Sequence, residues 1–470
     1  MIRAIFTNSF GILISRITGF IRDMLQASIL GANIYSDIFI VAFKLPNLFR
    51  RIFAEGAFSQ SFIPTFASSR QKSVFTVTIL KKFTLILIAL TFIVFIFSEY
   101  LTKLIAWGFS DSLIQKAAPL VAINFNYLIL IFLVTFLASL LQYKNHFATT
   151  AFSTSLLNLS MITALVLSQE LDKEAIVYNL SIGVIVGGFL QLIAHMIAIR
   201  WLKLDRIFYY GYLSTKRKKT KIQSDIKRFN KGFINSVLGG STAQISAFLD
   251  GILASFLVSG SISYLYYANR VFQFPLAIFA IATSVAIFPK IARFLNSNQE
   301  DRAKKMLKKS FWILLFALSG SVIVGIIFSR EIVWLLYQRG AFELADTLNT
   351  ATILSMYLIG LLPFGLAKIF SLWLYSTHNQ AKAAKISAIT LGINIVLALI
   401  LVYPLKAVGL ALASALSGFI LLGLTIKHFG AREFLDILKS KLLLVYIAFV
   451  AFVIIITLFL KGISSASLQL

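Results

Sequence analysis

The sequence predicts an all-α polytopic membrane protein: two six-helix lobes followed by one or two further helices. Composition is the first reason. Of 470 residues, 59% are hydrophobic, 13% are charged and 44 are Phe, whereas soluble domains hold about 45–50% apolar and about 25% charged residues. Mean hydropathy is +0.87. The second reason is span length, since about 20 apolar residues cross a bilayer. Runs at 117–143, 147–169, 175–199, 310–329, 386–405, 407–426 and 442–460 are long enough without interruption. Those near 5–30, 33–54, 74–98, 233–258, 261–289 and 347–375 are broken by polar residues, and together the runs make 13 helices, with a fourteenth left open.

The third reason is where the charge lies. With the N-terminus placed in the cytoplasm, the even-to-odd connections hold Arg70, Lys72, Lys81, Lys82, Lys144 and the basic stretches within 200–231, 290–309, 382–385 and 427–441. The opposite side holds seven bases, Lys103, Lys116, Lys173, Arg330, Arg339, Lys406 and Lys461, against eight acids. That asymmetry follows the positive-inside rule. The net charge of +26 therefore reads as topogenic, and no nucleic-acid partner is expected. Zero Cys excludes disulfides, thiolate metal sites and Cys nucleophiles. The first segment carries its own arginines and lacks a small-residue cleavage site, so it reads as an uncleaved span.

The one long polar connection, 200–231, sets the domain expectation. Residues 1–205 form the first lobe and 206–231 a basic cytoplasmic linker, with a second lobe at 232–430 and an additional transmembrane helix in 431–470. The lobes begin with a faint repeat: DMLQASIL (23–30) parallels DGILASFL (250–257), and AFKLP (42–46) parallels VFQFP (271–275). Both lobes start on the same side, so the repeat is parallel, a pseudo-twofold along the membrane normal. Such halves enclosing a midplane site are a transporter design. Pro46 and Pro275 lie inside apolar spans, where proline removes a backbone hydrogen bond and bends the helix.

Four arginines stand where lipid disfavours them: Arg16 and Arg22 in the first span, Arg50 at the end of the second, and Arg270 between two later ones. A charge at bilayer depth costs about 2.5–3.5 kcal/mol on insertion scales, so such groups face a wet cavity or a partner. Without an equal set of local acids, the countercharge is expected to arrive with an anionic ligand. Guanidinium forks suit phosphate, which makes a pyrophosphate the natural guest. Arg16, Gly19 and Asp23 share one helical stripe, and Arg22-Asp23 and Asp37–Lys44 are candidate locally neutralised pairs. Glu55 follows one turn after Arg51 and is placed to neutralise it. Asp250 sits mid-span with no base within a turn, open to a distant base, a proton or a cation. Lys368 ends its apolar run and reads as an interfacial or packing residue.

Other chemistry is poorly represented. His146, His195, His378 and His428 are isolated, with no metal-ligand spacing, and there is no P-loop, no GxGxxG after a strand and no nucleophile elbow. Catalytic residues and a firmly held metal are not expected.

The stretches SRITGFIRD (15–23) and DIFIVAFKLPNLFRRIFAEGAFSQSF (37–62) resemble the MurJ (MviN) lipid II flippase family, within the multidrug/oligosaccharidyl-lipid/polysaccharide exporter superfamily. SGS (259–261), YYANR (266–270), Phe274-Pro275 and RGAF (339–342) extend the resemblance over nearly the whole chain. It implies translocation of undecaprenyl-pyrophosphate-linked disaccharide-pentapeptide (lipid II) from the cytoplasmic to the periplasmic leaflet. The family's cavity arginines match Arg16, Arg22, Arg50 and Arg270, and its charged helpers match Asp23, Asp37, Lys44 and Glu55. A family sodium site matches Asp250 and Asn394. Three departures stand out. Asn269 and Gln273 replace acids that often flank the cavity arginine, Ala398 replaces a second sodium-ligand acid, and 13 helices are counted where the family has 14.

The expectation is a lipid flippase of the bacterial inner membrane, multi-pass, working by alternating access through a V-shaped central cavity between the lobes. Coupling to sodium, to protons or to the membrane potential is left open; membrane lipids and other cell-wall synthesis proteins are the further partners. The alternatives are an exporter of another lipid-linked oligosaccharide or of a drug, and a membrane scaffold whose charges are structural. An arginine-rich lining weighs against cationic drugs.

Overall fold

The computed structural model describes residues 2–52, 57–218, 222–240, 242–377 and 379–467. Internal packing divides the chain into two compact units, Met1–Ser259 and Gly260–Leu470.

The first unit runs α1 (Ile2–Leu30), α2 (Ile34–Ile52), α3 (Phe58–Ser68), α4 (Lys72–Ile96), α5 (Ser98–Ile105), α6 (Asp111–Phe125), α7 (Tyr127–Tyr143), α8 (Ala148–Leu167), α9 (Lys173–Trp201), α10 (Asp205–Lys218), α11 (Gln223–Gly240) and α12 (Thr242–Ala254). Helix α8 is sandwiched between α1 and α9, α2 lies on α6, α10 on α4, and α11 on α3. α12 touches α2 and α5, which is why it falls in this unit. The abundant Phe residues explain the α3–α4–α7–α11 junction. Phe58 lies 5.6 Å from Phe132 and 5.5 Å from Phe229, and Phe62 lies 5.2 Å from Phe136, ring centroid to centroid. Each such aromatic pair adds about 0.5–1.5 kcal/mol beyond its buried area. The outer face of α4 is apolar and exposed, with Phe92 and Phe95 more than 60% accessible, as expected of a surface solvated by lipid.

The second unit runs α13 (Ser261–Pro275), a π-helical segment (Leu276–Ile281), α14 (Ala282–Asn296), α15 (Glu300–Ile327), α16 (Ser329–Tyr337), α17 (Leu344–Ile359), α18 (Leu361–Ser376), α19 (Gln380–Phe429), α20 (Ala431–Leu438) and α21 (Leu442–Ser467). α18 packs against both α15 and α19, α13 against α17, and α21 against α15. Gly360 joins α17 to α18 where an added Cβ would stand 2.8 Å from the Ala415 backbone, so only glycine lets α19 approach.

Among the described residues nine helical stretches are long and apolar enough to cross a membrane. One of them, α19, contains the two predicted spans 386–405 and 407–426, which part at Lys406, where φ is 51° just after Pro404. The predicted spans 5–30, 33–54 and 233–258 fall on α1, α2 and α11–α12, outside those nine. α1 and α2 carry most of the charges singled out in the sequence, and α12 has 13 residues. The two prolines behave differently: α2 continues through Pro46, whereas Pro275 ends α13 and the backbone widens into the π segment.

Candidate functional site

In the first unit the charged residues of α1 are organised by α8. Gly19 lets the two helices close, because a Cβ there would stand 3.2 Å from the Asn158 amide nitrogen. Arg22 and Asp23 are both buried, 6% and 1% exposed. Two donors of Arg22, Nη2 and Nε, reach Asp23 Oδ1 at 2.6 and 3.1 Å, while Nη1 donates to Asn158 Oδ1 at 3.1 Å. Asn158 Nδ2 then donates back to α1, to the Ser15 carbonyl at 3.0 Å and the Thr18 hydroxyl at 3.2 Å. The predicted Arg22-Asp23 pairing is therefore present, and Arg22 draws its countercharge from the protein; the broader expectation that all four arginines lack one does not hold for it. Charge-assisted bonds of this kind offset desolvation only when the remaining donors are also engaged, and Asn158 supplies that engagement. Asn158 was not singled out from the sequence; its signal was an amide inside an apolar run. Arg16, two turns earlier, is exposed and has no hydrogen bond or ion pair among the described residues.

On α2, Asp37 is buried in the first turn, 2% exposed. Lys44 turns towards α12. Its Nζ donates to the Phe248 carbonyl at 2.8 Å, lies 5.1 Å from the centre of the Phe248 ring, and feels the Asp250 carboxylate electrostatically. The suggested Asp37–Lys44 pair is thus corrected: among the described residues Lys44 bonds to α12 and not to Asp37. The side chain crosses Gly251, where a Cβ would stand 1.7 Å from Nζ. Of the openings the sequence left for Asp250, a distant base is represented by Lys44, which feels its carboxylate across the α2–α12 contact. Arg50 donates through Nε and Nη2 to Asn47 Oδ1 at 3.1 and 3.0 Å, one turn back on the same helix. Glu55 lies outside the described residues. Arg22 and Arg50 both act electrostatically on Tyr127, whose buried hydroxyl donates to Gln191 Oε1 at 3.0 Å.

In the second unit, Arg270 is half-buried on α13. Its Nη2 donates to the Tyr266 hydroxyl at 3.0 Å, and the guanidinium carbon stands 5.1 Å from the centre of that ring. Asn269 and Gln273, one turn apart, bond to each other through their amides. Tyr266 was quoted in the sequence only as part of a motif; in the structure it is the neutral cradle of the cation. Asn394 is buried at 3% exposure and its amide reaches Ser414 Oγ at 3.5 Å across the α19 break, with Ala398 buried one turn on. The two residues of the candidate cation site lie in different units, Asp250 in the first and Asn394 in the second. No group of three His, Cys, Asp or Glu placed to hold a metal occurs among the described residues. Lys368 lies within α18.

The chain matches the family model described as "Lipid II flippase MurJ" over residues 26–468. A relative from Helicobacter pylori, "Probable lipid II flippase MurJ", is 49% identical over 442 residues, 92% of this chain and 96% of its own length. Among solved structures, "Lipid II flippase MurJ, inward closed conformation" aligns with TM-score 0.79 and 26% identity over 98% of this chain and 99% of its own. An inward-facing multidrug-resistance MATE transporter of the MOP superfamily aligns with TM-score 0.67 and 11% identity over 91% of this chain and 96% of its own, a likeness of fold alone. With that coverage, and with helices long and apolar enough to span, the chain is a multi-pass bacterial membrane protein that belongs to the lipid II flippase MurJ family.

Proposed function

We propose that this chain translocates lipid II from the cytoplasmic to the periplasmic leaflet of the inner membrane by alternating access, supplying cell-wall synthesis. The observation that carries the proposal is near-half identity, along almost the entire length, to a relative named as a probable lipid II flippase. The chemistry of the charged residues agrees with it. A diphosphate headgroup needs planar, permanently charged donors, and Arg16, exposed on α1, Arg50, bonded to the Asn47 amide oxygen, and Arg270, bonded to the Tyr266 hydroxyl, offer them. The Arg22–Asp23 pair plays a different part: it fixes α1 on α8 and presents a polar, charge-balanced wall. Asp37, Lys44 and Glu55 act as charged helpers, while Asp250 and Asn394 are candidates for a coupling sodium ion or proton. The work is transport, with no bond of the substrate made or broken. The N-terminus is placed in the cytoplasm by the distribution of basic residues, and the membrane potential would return the cationic site to the cytoplasmic side. Other cell-wall synthesis proteins are its expected neighbours.

Depletion of the protein from cells that depend on it, followed by probing of intact cells with a reagent that reacts with lipid II only at the periplasmic face, tests the proposal. The reactive fraction should fall as the protein disappears while total lipid II rises. An unchanged reactive fraction would refute lipid II translocation. If export of another lipid-linked oligosaccharide or of a drug failed instead, the related exporter reading would replace it.

A further inference from the structure

Tyr127 opens α7 and is fully buried where three other helices of the first unit meet it. Its ring lies 6.3 Å from that of Phe43 on α2, centre to centre, and packs on α9 at Gly188, where a Cβ would stand 2.8 Å from the ring. Its hydroxyl donates to Gln191 Oε1 at 3.0 Å, and Gln191 Nε2 donates in turn to the Ser153 carbonyl of α8, also at 3.0 Å. The direction of this chain is fixed. A backbone carbonyl only accepts, so the amide nitrogen faces Ser153 and the amide oxygen faces Tyr127, which makes the phenol the donor. With its proton given to Gln191, the phenol oxygen keeps its lone pairs, and Arg22 and Arg50 both attract negative charge at that atom.

This ring and amide tie together the helices that carry two of the cations assigned to the headgroup. On one side is α2, which stays helical through Pro46, so Phe43 and Arg50, seven residues apart, share a stripe. On the other side is α8, where Ser153 lies five residues before Asn158, the amide that docks α1 through the Ser15 carbonyl and the Thr18 hydroxyl. Arg16 stands between those two α1 anchors. Counted from the turn at 31–33, Arg16 lies about 21 Å along α1 and Arg50 about 24 Å along α2, at matched depth. The bonds of Arg50 to Asn47 turn with α2 and set no distance to α1. That distance is set through Tyr127 and Gln191.

A single phosphate is satisfied by one guanidinium and is indifferent to where the next one stands. A diphosphate presents two charged groups at a fixed spacing and rewards two guanidinium groups held at a matching one. We infer that Tyr127, held by Gln191, is a positioning residue that sets the separation of Arg16 and Arg50, and so makes the site prefer a diphosphate headgroup to a single phosphate. The inference rests on the headgroup role proposed above for those two arginines, and adds to it the neutral core pair that spaces them.

Native mass spectrometry of the full-length, detergent-purified protein titrated with undecaprenyl diphosphate and with undecaprenyl monophosphate tests the inference, the readout being the ratio of the two affinities. The unaltered protein should favour the diphosphate. Tyr127→Phe keeps the ring on Phe43 and Gly188, and should lower the ratio roughly fivefold, the worth of one hydrogen bond, chiefly through the diphosphate. It also strands the buried Gln191 oxygen, as Gln191→Leu strands the phenol, so each single variant should melt at a lower temperature. The double variant removes both partners and should recover most of the melting temperature while keeping the low ratio. A double variant that regains the ratio together with the melting temperature would show a purely structural role and overturn the inference, as would an unchanged ratio in Tyr127→Phe. An unaltered protein that binds the two lipids equally would overturn the headgroup role of the arginines, and the inference with it.

Discussion

Arg22 and Arg270 are both cations within apolar sequence, yet their surroundings differ. Arg22 is buried and held by a carboxylate and an amide that reach it from α1 and α8. Arg270 is half-buried, set against the ring of Tyr266 and bonded to the hydroxyl of that same residue. The first arrangement matches charge with charge and ties two helices together. The second sets a guanidinium against a ring face, worth about 0.5–2 kcal/mol, and bonds it to the hydroxyl of the same ring. The contrast teaches that an arginine at membrane depth is no single signal: Arg22 ties two helices together, whereas Arg270 rests on an aromatic ring of its own helix.

That contrast can be broken most severely at Asp23. Asp23→Ala removes the carboxylate that faces the buried Arg22, and removing one partner of a buried pair costs about 3–5 kcal/mol. Thermal unfolding in detergent should show a large fall in melting temperature and low protein levels in cells. Asn158→Leu should have the next largest effect, about 1–3 kcal/mol, because it strands donors and acceptors on α1 that Asn158 now satisfies. The double substitution should be less harmful than the sum of the two, as both act on the same guanidinium.

A smaller effect is expected at the α2–α12 contact. Gly251→Ala forces the flexible end of Lys44 off the Phe248 carbonyl, a loss of about 1 kcal/mol. It should lower transport by the same factor as Lys44→Ala, and the pair combined should lower it no further. Additive losses would separate Gly251 from the lysine. Smallest is Tyr266→Phe, which keeps the ring beneath Arg270 and deletes only its hydroxyl. Binding of a diphosphate lipid should change by no more than a few-fold, whereas Tyr266→Ala should exceed that by removing the ring as well.

The helices were legible because lipid rewards long apolar runs, and even the division of α19 was readable, since Pro404 and Lys406 interrupt an otherwise continuous run. The junction of α6 and α7 inside the run 117–143 was not. It rests on Asn126, whose side-chain amide takes the Ala122 carbonyl and shifts the backbone ladder, an effect with no mark in hydropathy. In the site, the charged residues were legible and their partners were not. Arg22-Asp23 are sequence neighbours, so their pairing could be anticipated. Lys44 and Phe248 are 204 residues apart, and only the packing of α12 on α2 brings them together. Asn158 and Tyr266 are uncharged and looked like ordinary span residues until the helices were assembled.

The most direct test is Arg270→Glu, expressed at the wild-type level in cells depleted of the native protein, with reactive lipid II measured at the periplasmic face. Reversing the charge of the arginine proposed to meet the headgroup while leaving the Arg22–Asp23–Asn158 junction intact should give a stable protein and a periplasmic lipid II signal as low as in depleted cells. A stable Arg270→Glu protein that sustains the wild-type signal would contradict the role of that arginine in headgroup capture.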